Sequence, residues 1–277
     1  MLKHYKIIIK SYYICRRTYK LNVKLKNIAK AKLIIMKTQK TPLSFLYTLL
    51  SVLLLSSSTI AAEELIETRT LNSFDKIVAT NGINVQLRHS EHEKVDVKIE
   101  NALLSDIITE VDEDGTLKIK LRAQINKELS ILCLVYYKDL KEITATKGAS
   151  IITKDVLITK KLDICTNTGA KIKAEIECID VKVDAFGVSN TSLYGWADRL
   201  EIKATAGADV FGKTLESKNV FVKAGSGAEV WVKPELYLEA IANMGSTIYY
   251  TQKPEKINEK LTTGGELHSK VTEDKKL

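Results

Sequence analysis

The side chains that could perform chemistry in this 277-residue chain are few and scattered. His89 and His92 are close enough to form a metal pair, but no third ligand stands at a telling spacing. Asp184, Asp209 and Glu229 could act in polysaccharide cleavage, which needs carboxylates that converge on one groove. Their differing positions in the repeat described below favour solvated surface acids. We therefore expect no catalytic residue, no metal and no cofactor, and we expect that the protein is not an enzyme.

A sharper candidate for binding is a set of three aromatic residues at matching positions. Phe211, Trp231 and Tyr249 each stand four residues after the central position of a repeat. If successive repeats stack, their rings form an outward column, and flat aromatic surfaces suit sugar rings or the apolar edge of a partner. The column thus predicts a site for a cell-surface glycan or an envelope protein. Alternatively, the rings pack together, or beneath a loop around Tyr194–Trp196, and only stabilise the coil.

The repeat that would position these rings is marked by regularly spaced glycines. Successive central positions are 18 to 21 residues apart, which is the size of one coil of a β-solenoid. Val188 occupies the one central position that lacks glycine, and Ile83 and Asn84 follow the upstream copy. The glycines at the central position are Gly82, Gly148, Gly169, Gly207, Gly227, Gly245 and Gly264.

Residues at odd distances from the central position are aliphatic or small, and those at even distances are mostly polar. Around Gly169, for example, Ile164 and Thr166 precede it, and Ala170 and Ile172 follow it, at odd distances. Because alternate residues of a strand face opposite sides, the odd columns should line an interior. Glycine reaches the positive φ angles that a tight turn requires. The pattern predicts an all-β fold, a right-handed parallel β-helix-like solenoid with rungs of about 18–21 residues.

The repeat fades between Gly82 and Gly148. Alternation over Val95–Ile99 and Leu117–Leu121 predicts strands, and Asp114–Gly115 predicts a hairpin turn. We expect a less regular N-terminal β portion, antiparallel in places, that continues into the coil and caps it.

The N-terminal segment differs in charge from the rest of the chain. Residues 1–62 hold 12 of the 42 Lys and Arg residues and no Asp or Glu, so 30 basic residues face 34 acidic ones downstream. A mildly acidic chain lacks the clustered positive charge that binds phosphates, which argues against a nucleic-acid partner.

Residues 36–62 have the pattern of a signal peptide. Lys37 and Lys40 precede an apolar run over Leu43–Leu55, and small residues end the segment at Ala62. The run is shorter than the roughly 20 residues of a membrane span, so we expect no integral span after cleavage. Residues 1–35 are interpreted as an upstream extension that results from the choice of start codon. The protein should be exported, to the periplasm or to the cell surface.

Three cysteines follow the signal peptide, and their spacing is not that of a metal site. Cys133 and Cys178 lie at inward positions of alternating segments, which favours buried thiols. A bridge between Cys165 and Cys178 is left open by the spacing.

Several segments together resemble a known family. Phe74–Ile77 followed by Gly82–Val85, the segment Asp114–Ile119 and the serial Gly-Ala steps resemble the auto-transporter adhesin head GIN domain family. The resemblance covers about residues 70–268 and leaves a charged tail at 269–277. It implies an exported β-helical domain of bacterial envelopes, without catalytic residues to transfer.

From these features we expect a non-catalytic adhesion or cell-envelope interaction module that presents a rigid surface. A structural or assembly protein of the periplasm is the first alternative, and a carbohydrate-active β-helix enzyme is the second. The oligomeric state does not follow from the sequence.

Overall fold

The computed structural model describes residues 65–100, 103–122 and 130–271. Most of these residues lie in strands, and the one helical turn among them is a 3₁₀ helix at Leu104–Asp106. The expected signal peptide and upstream extension lie outside the described residues. The predicted all-β solenoid is confirmed.

Seven strands form the N-terminal portion, and three of its pairings are antiparallel. β1 pairs with β4, β4 with β7, and β5 with β6 in antiparallel fashion. The predicted irregular portion is therefore confirmed, and the predicted Asp114–Gly115 turn joins β5 to β6. The strands are β1 (Leu65–Thr70), β2 (Lys76–Ala79), β3 (Asn84–His89), β4 (Lys94–Glu100), β5 (Ile107–Val111), β6 (Thr116–Leu121) and β7 (Ser130–Tyr137).

Ten further strands form the regular coil, in which every pairing is parallel. The long strands β10 to β14 each run along both sides of a coil, whereas the remaining strands cover one side. Their bounds are β8 (Glu142–Thr146), β9 (Ser150–Thr153), β10 (Leu157–Asn167), β11 (Lys171–Phe186), β12 (Asn190–Thr205), β13 (Asp209–Ala224), β14 (Glu229–Ala242), β15 (Thr247–Tyr250), β16 (Lys256–Leu261) and β17 (Glu266–Ser269).

The upstream repeat at Gly82 is a full member of the coil. β2 lies between β6 and β8, and β3 lies between β7 and β9, all in parallel register. The inward residues of this coil, Ile77, Ala79, Val85 and Leu87, are at most 1% exposed. The first coil in sequence is therefore inserted between two coils formed by later residues.

Each coil turns at two consecutive residues with positive φ. The central position has φ between +69° and +77° where it is Gly, and the preceding residue lies between +47° and +67°. This is the backbone of a type I′ turn, which needs φ > 0 at both positions. In the coil without a central glycine, Gly187 takes the first position and Val188 the second, at φ +53°. A β-branched side chain in this region is strained.

The turns of adjacent coils are joined by hydrogen bonds. The N–H of each central residue donates to the carbonyl before the central residue of the next coil, over 3.0–3.2 Å. The series runs without a gap from Gly82 to Gly245, through Val188. With positive φ at both positions, the backbone N–H and C=O groups of each turn can form hydrogen bonds with the turns of the adjacent coils.

The core is lined by the predicted odd columns, but their alternation changes phase at one corner of each coil. Ile179 and Asp180 both face away from the core of β11, so the inward set shifts by one residue between them. The extra residue at this corner changes which of the following side chains point inward, as a β-bulge does. The inward residues of β11 are Ile172, Ala174, Ile176 and Cys178 before the corner and Val181, Val183 and Ala185 after it.

Five serine and threonine residues are buried in the described part of the chain, and three of them form one hydrogen-bonded group in the core. Thr166 and Thr191 share a hydrogen bond of 2.8 Å between their hydroxyls, and Ser189 donates to the carbonyl of Thr166 over 3.2 Å. Mutual hydrogen bonding removes most of the cost of burying these groups.

All three described cysteines are free. Cys133 and Cys178 are buried as predicted, and Cys165 lies half-buried on the outer side. Burial raises the pKa of the Cys133 thiol to about 12. The Cys165–Cys178 bridge that the spacing left open is absent from this structure.

Candidate functional site

Two of the three predicted aromatic residues form a stack that continues into a third ring. The rings of Trp231 and Tyr249 lie 4.2 Å apart between centroids at an interplanar angle of 20°. Tyr249 in turn stacks on His268, at 5.5 Å and 25°. The three residues are register partners on β14, β15 and β17. We call Trp231, Tyr249 and His268 the aromatic ladder.

The aromatic ladder stands on the outer face of the coil, as the even column predicts. Its two larger members are half-buried, and the side chain of His268 is 46% exposed. Val230 and Ile248, which precede Trp231 and Tyr249, fill the core below. The core is therefore packed without these rings, whose flat faces lie against one another and whose edges face outward.

Phe211 occupies the next position of the column but does not join the stack. It is the register partner of Trp231 on β13 and is half-buried. Among the ring contacts in the described part of the chain, none involves Phe211. The equal spacing predicted a column of Phe211, Trp231 and Tyr249, of which the last two stack, and it did not include His268, which stands four residues after Gly264. Extending the same spacing by one coil would have found it.

Carboxylates flank one side of the aromatic ladder. The indole N–H of Trp231 donates to Glu229 Oε1 over 2.6 Å. His268 Nε2 lies 2.7 Å from Glu266 Oε2. Both acids stand two residues before the ring that they contact, so the same spacing places a carboxylate beside each.

Ammonium groups flank the other side. Lys213 Nζ lies 5.8 Å from the centre of the Trp231 ring, and Lys270 Nζ lies 5.7 Å from that of Tyr249. Within residues 65–100, 103–122 and 130–271, no salt bridge neutralises either lysine. The ladder thus lies between a row of hydrogen-bond acceptors and a row of donors.

A second pair of rings lies on another part of the coil. Phe221 and Tyr237 are 5.6 Å apart at an angle of 55°, and the guanidinium of Arg199 lies 4.1 Å from the centre of the Phe221 ring. This pair precedes the turn of its coil, whereas the aromatic ladder follows it. It offers a matched comparison for the ladder.

The segment expected to form a loop over the column is part of a strand. Tyr194, Gly195 and Trp196 lie within β12 and pair with both neighbouring strands. A Cβ on Gly195 would lie 2.2 Å from the carbonyl oxygen of Ile176, and φ is +99° there. Glycine is therefore required for close approach of the two coils, and the expected loop was wrong.

The three carboxylates considered for catalysis do not converge. Asp209 and Glu229 are register partners, but Asp184 lies on the other side of its coil, 2.8 Å from Lys182 Nζ. Burial and the nearby Glu229 raise the pKa of Asp209. Of the two histidines, His89 contacts Tyr137 edge-on with its ring. Within the described ranges, no group of three or more His, Cys, Asp or Glu residues could hold a metal ion.

The fold is an all-β solenoid with a stack of rings on its outer face. The model of the family described as "Putative auto-transporter adhesin, head GIN domain" matches residues 73–254. The chain belongs to this family. No curated protein is significantly similar in sequence.

Solved structures with a similar fold come from Bacteroides and Parabacteroides species. A "putative adhesin" from Bacteroides fragilis has a TM-score of 0.68 at 15% identity, with 76% of this chain and 98% of that chain covered. A "putative adhesin" from Parabacteroides merdae gives 0.61 at 16%, with 76% and 97% covered. A "putative lipid binding protein" from Parabacteroides distasonis gives 0.57 at 16%, with the same coverage. These likenesses concern the fold.

The family description points to an adhesion-like, exported or surface protein. None of the helical segments in the described residues is long and apolar enough to cross a membrane.

Proposed function

We propose that the protein is a non-catalytic adhesion module of the cell surface that binds a glycan through the aromatic ladder. The observation that carries this proposal is the continuous stack of Trp231, Tyr249 and His268 on the outer face of a core that is complete without it. Large aromatic side chains on a solvent-facing sheet need a reason, and core packing does not supply one here.

The groups beside the ladder favour a glycan over a purely apolar partner. Sugar hydroxyls both donate and accept hydrogen bonds, and the ladder has carboxylates on one side and ammonium groups on the other. The outward edges of stacked rings carry partial positive charge, which attracts hydroxyl oxygens. Because charges of both signs are present, a densely anionic ligand gains little, so a neutral glycan fits best. An envelope protein remains the second candidate partner.

A rigid coil suits this role because it holds successive rings at a fixed spacing. Neighbouring strands lie about 4.8 Å apart, and the hydrogen-bonded turns fix the register between coils. A ligand that spans several coils therefore meets a preorganised surface and loses little entropy from the protein.

The test compares the two aromatic sites. Trp231→Ala should lower binding to a glycan array and to intact bacterial cells by at least about tenfold. The matched variant Phe221→Ala, on the second ring pair, should bind as the unaltered protein does. Both variants should keep their β-sheet circular dichroism.

The proposal fails if Trp231→Ala binds normally while remaining folded. A purely structural role predicts a different outcome, in which Trp231→Ala lowers the melting temperature and leaves the binding of the folded fraction unchanged.

A further inference from the structure

The aromatic ladder ends on the one member that can gain a charge near neutral pH. Histidine side chains change their charge between about pH 5 and pH 8, whereas tyrosine and tryptophan stay neutral in that range. His268 stacks on Tyr249, and its side chain is 46% exposed. The ring is therefore accessible to protons from the medium, and it lies on the surface that would meet a glycan.

The contact with Glu266 determines which ring nitrogen of His268 is free. His268 Nε2 lies 2.7 Å from Glu266 Oε2. An ionised carboxylate only accepts hydrogen bonds, so Nε2 carries the hydrogen in the neutral ring and Nδ1 is the acceptor. Among the described residues no hydrogen bond reaches Nδ1. This nitrogen can therefore accept from a ligand when the ring is neutral and donate to it when the ring is protonated.

The groups around His268 allow it to carry a positive charge. β15, on which β17 packs, presents the Tyr249 ring and contains no carboxylate or amine. On β17 itself, Glu266 contacts the imidazole directly, so protonation creates an ion pair. Lys270 opposes the charge, but its Nζ lies over the Tyr249 ring, 5.7 Å from the centre. The carboxylate on β14, Glu229, adds a further negative charge beside the ladder.

Protonation of His268 should strengthen both the ladder and its contact with a ligand. The cationic ring is attracted to the π face of Tyr249, on which it already lies at an angle of 25°. A hydrogen bond from a charged donor is also stronger than a bond between neutral groups. Because sugar hydroxyls can both donate and accept, a bound glycan keeps its contact with Nδ1 in either state, and the contact is stronger in the protonated one.

We propose that His268 makes glycan binding by the aromatic ladder dependent on pH, with tighter binding in mildly acidic surroundings. This inference rests on the proposed function, because it needs a glycan on the ladder. Trp231 and Tyr249 supply the constant part of the surface, and the imidazole of His268 adjusts the strength of binding.

The experiment measures the dissociation constant at about pH 8 and about pH 5.5 for the uncharged array glycan that the unaltered protein binds most tightly. Such a glycan does not titrate, and glutamate side chains in ordinary surroundings are largely ionised at both pH values. The dissociation constant should fall about fivefold at the lower pH. His268→Gln can form hydrogen bonds but cannot gain the proton. It should bind within about twofold of the unaltered protein at the higher pH and should not respond to pH.

Two control variants test the other groups that could titrate. Asp209 is the register partner of Glu229, and burial together with that carboxylate raises its pKa. Asp209→Asn removes this group, and His89→Gln removes a histidine of the N-terminal portion. Both variants should keep the pH response of the unaltered protein, and all variants should keep their β-sheet circular dichroism.

Each outcome separates this inference from the proposed function. If Trp231→Ala weakens binding but pH does not alter the dissociation constant of the unaltered protein, the inference is overturned and the proposed function stands. The same holds if His268→Gln keeps the full pH response or if Asp209→Asn abolishes it. If Trp231→Ala binds normally at both pH values, the proposed function fails and the inference is overturned with it.

Discussion

The two ends of the solenoid are finished in different ways. At the N-terminal end, β5 covers β6, while β4 and β1 extend the sheet beyond β7, all by antiparallel pairing. Arg69 on β1 fastens this cover by donating to the carbonyls of Leu104 and Ile107, each over 2.8 Å. At the C-terminal end, β16 and β17 are the outermost described strands and are largely exposed.

The comparison shows two ways to finish a solenoid. Additional strands can cover the last coil, or polar and charged side chains can leave it exposed to solvent. The cover buries Ile99 to 1% exposure, whereas Ile257 on the last coil is 36% exposed. A polar terminal repeat is a general requirement of solenoids, because an apolar end would stack on its neighbours. The exposed β16 carries Lys256, Asn258, Glu259 and Lys260, which make this end polar.

The largest expected effect comes from the same substitution at both ends. Ile99→Ala should lower the free energy of unfolding by about 2–5 kcal/mol, because it leaves a cavity under the cover. Ile257→Ala should cost less than about 1 kcal/mol, since the side chain is already partly in water. Denaturant unfolding measures both. Equal losses would contradict the contrast between a covered and an exposed end.

A second pair of variants compares an inner coil with the last one. A Cβ on Gly195 or on Gly265 would lie 2.2 Å from a carbonyl oxygen of the preceding coil. Gly195 is held between two coils, so Gly195→Ala should cost about 1–3 kcal/mol or more. The coil at Gly265 has one described neighbour and can shift, so Gly265→Ala should cost about half as much. Thermal melting of both variants tests this, and a larger loss at Gly265 would reverse the comparison.

A third prediction concerns Val188, the central residue of a turn between the two ends, where valine rather than glycine has a positive φ angle and should lower stability. Val188→Gly should raise the free energy of unfolding by about 0.5–1 kcal/mol, since it relieves a β-branched residue at φ +53°. Greater flexibility of glycine in the unfolded chain offsets part of the gain. Val188→Ala, which keeps a Cβ, should gain less. A loss of stability in Val188→Gly would show that the exposed valine contributes to packing.

The smallest expected effect is electrostatic. The pKa of Asp209 is raised in the fold, so its ionised form destabilises the folded state, and the penalty grows as pH rises through that pKa. Asp209→Asn should therefore gain less than about 0.5 kcal/mol at neutral pH, because the exposed side is screened. The gain should vanish below the ordinary pKa of 3.8. Glu266→Gln on the last coil, whose described strand neighbour at that position is Thr247, should show no gain in unfolding curves at pH 7.

Much of the coil could be predicted because its determinants are local. A central glycine such as Gly169 predicts a turn, and an aliphatic residue close to it in sequence, such as Ile172, predicts which side of the strand faces the core. The upstream copy at Gly82 was found in the same way. The aromatic column followed from equal spacing, although its glycan-binding role stays a prediction.

Other features depend on contacts that spacing does not encode. Glycine at Gly195 allows two coils to approach within one strand, and from sequence it looked like part of a loop. Phe211 is the register partner of Trp231 yet makes no ring contact in the described residues, which equal spacing did not indicate. The first of the two positive φ angles at each turn falls on residues as different as Asn81 and Met244, so their types gave no signal.

Local sequence accounts for the period of the coil, the inward and outward columns and the positions of the turns, because alternation and φ preferences act between near neighbours. The position of β2 and β3 between later coils, as in the pairing of Lys76 with Glu142, became visible only in the folded chain. The strands that cover the N-terminal end, and the pairing of exposed β16 with β14 at the other end, depend on tertiary contacts in the same way. These outcomes depend on pairing between segments distant in the chain, where the free energy of many contacts selects one arrangement.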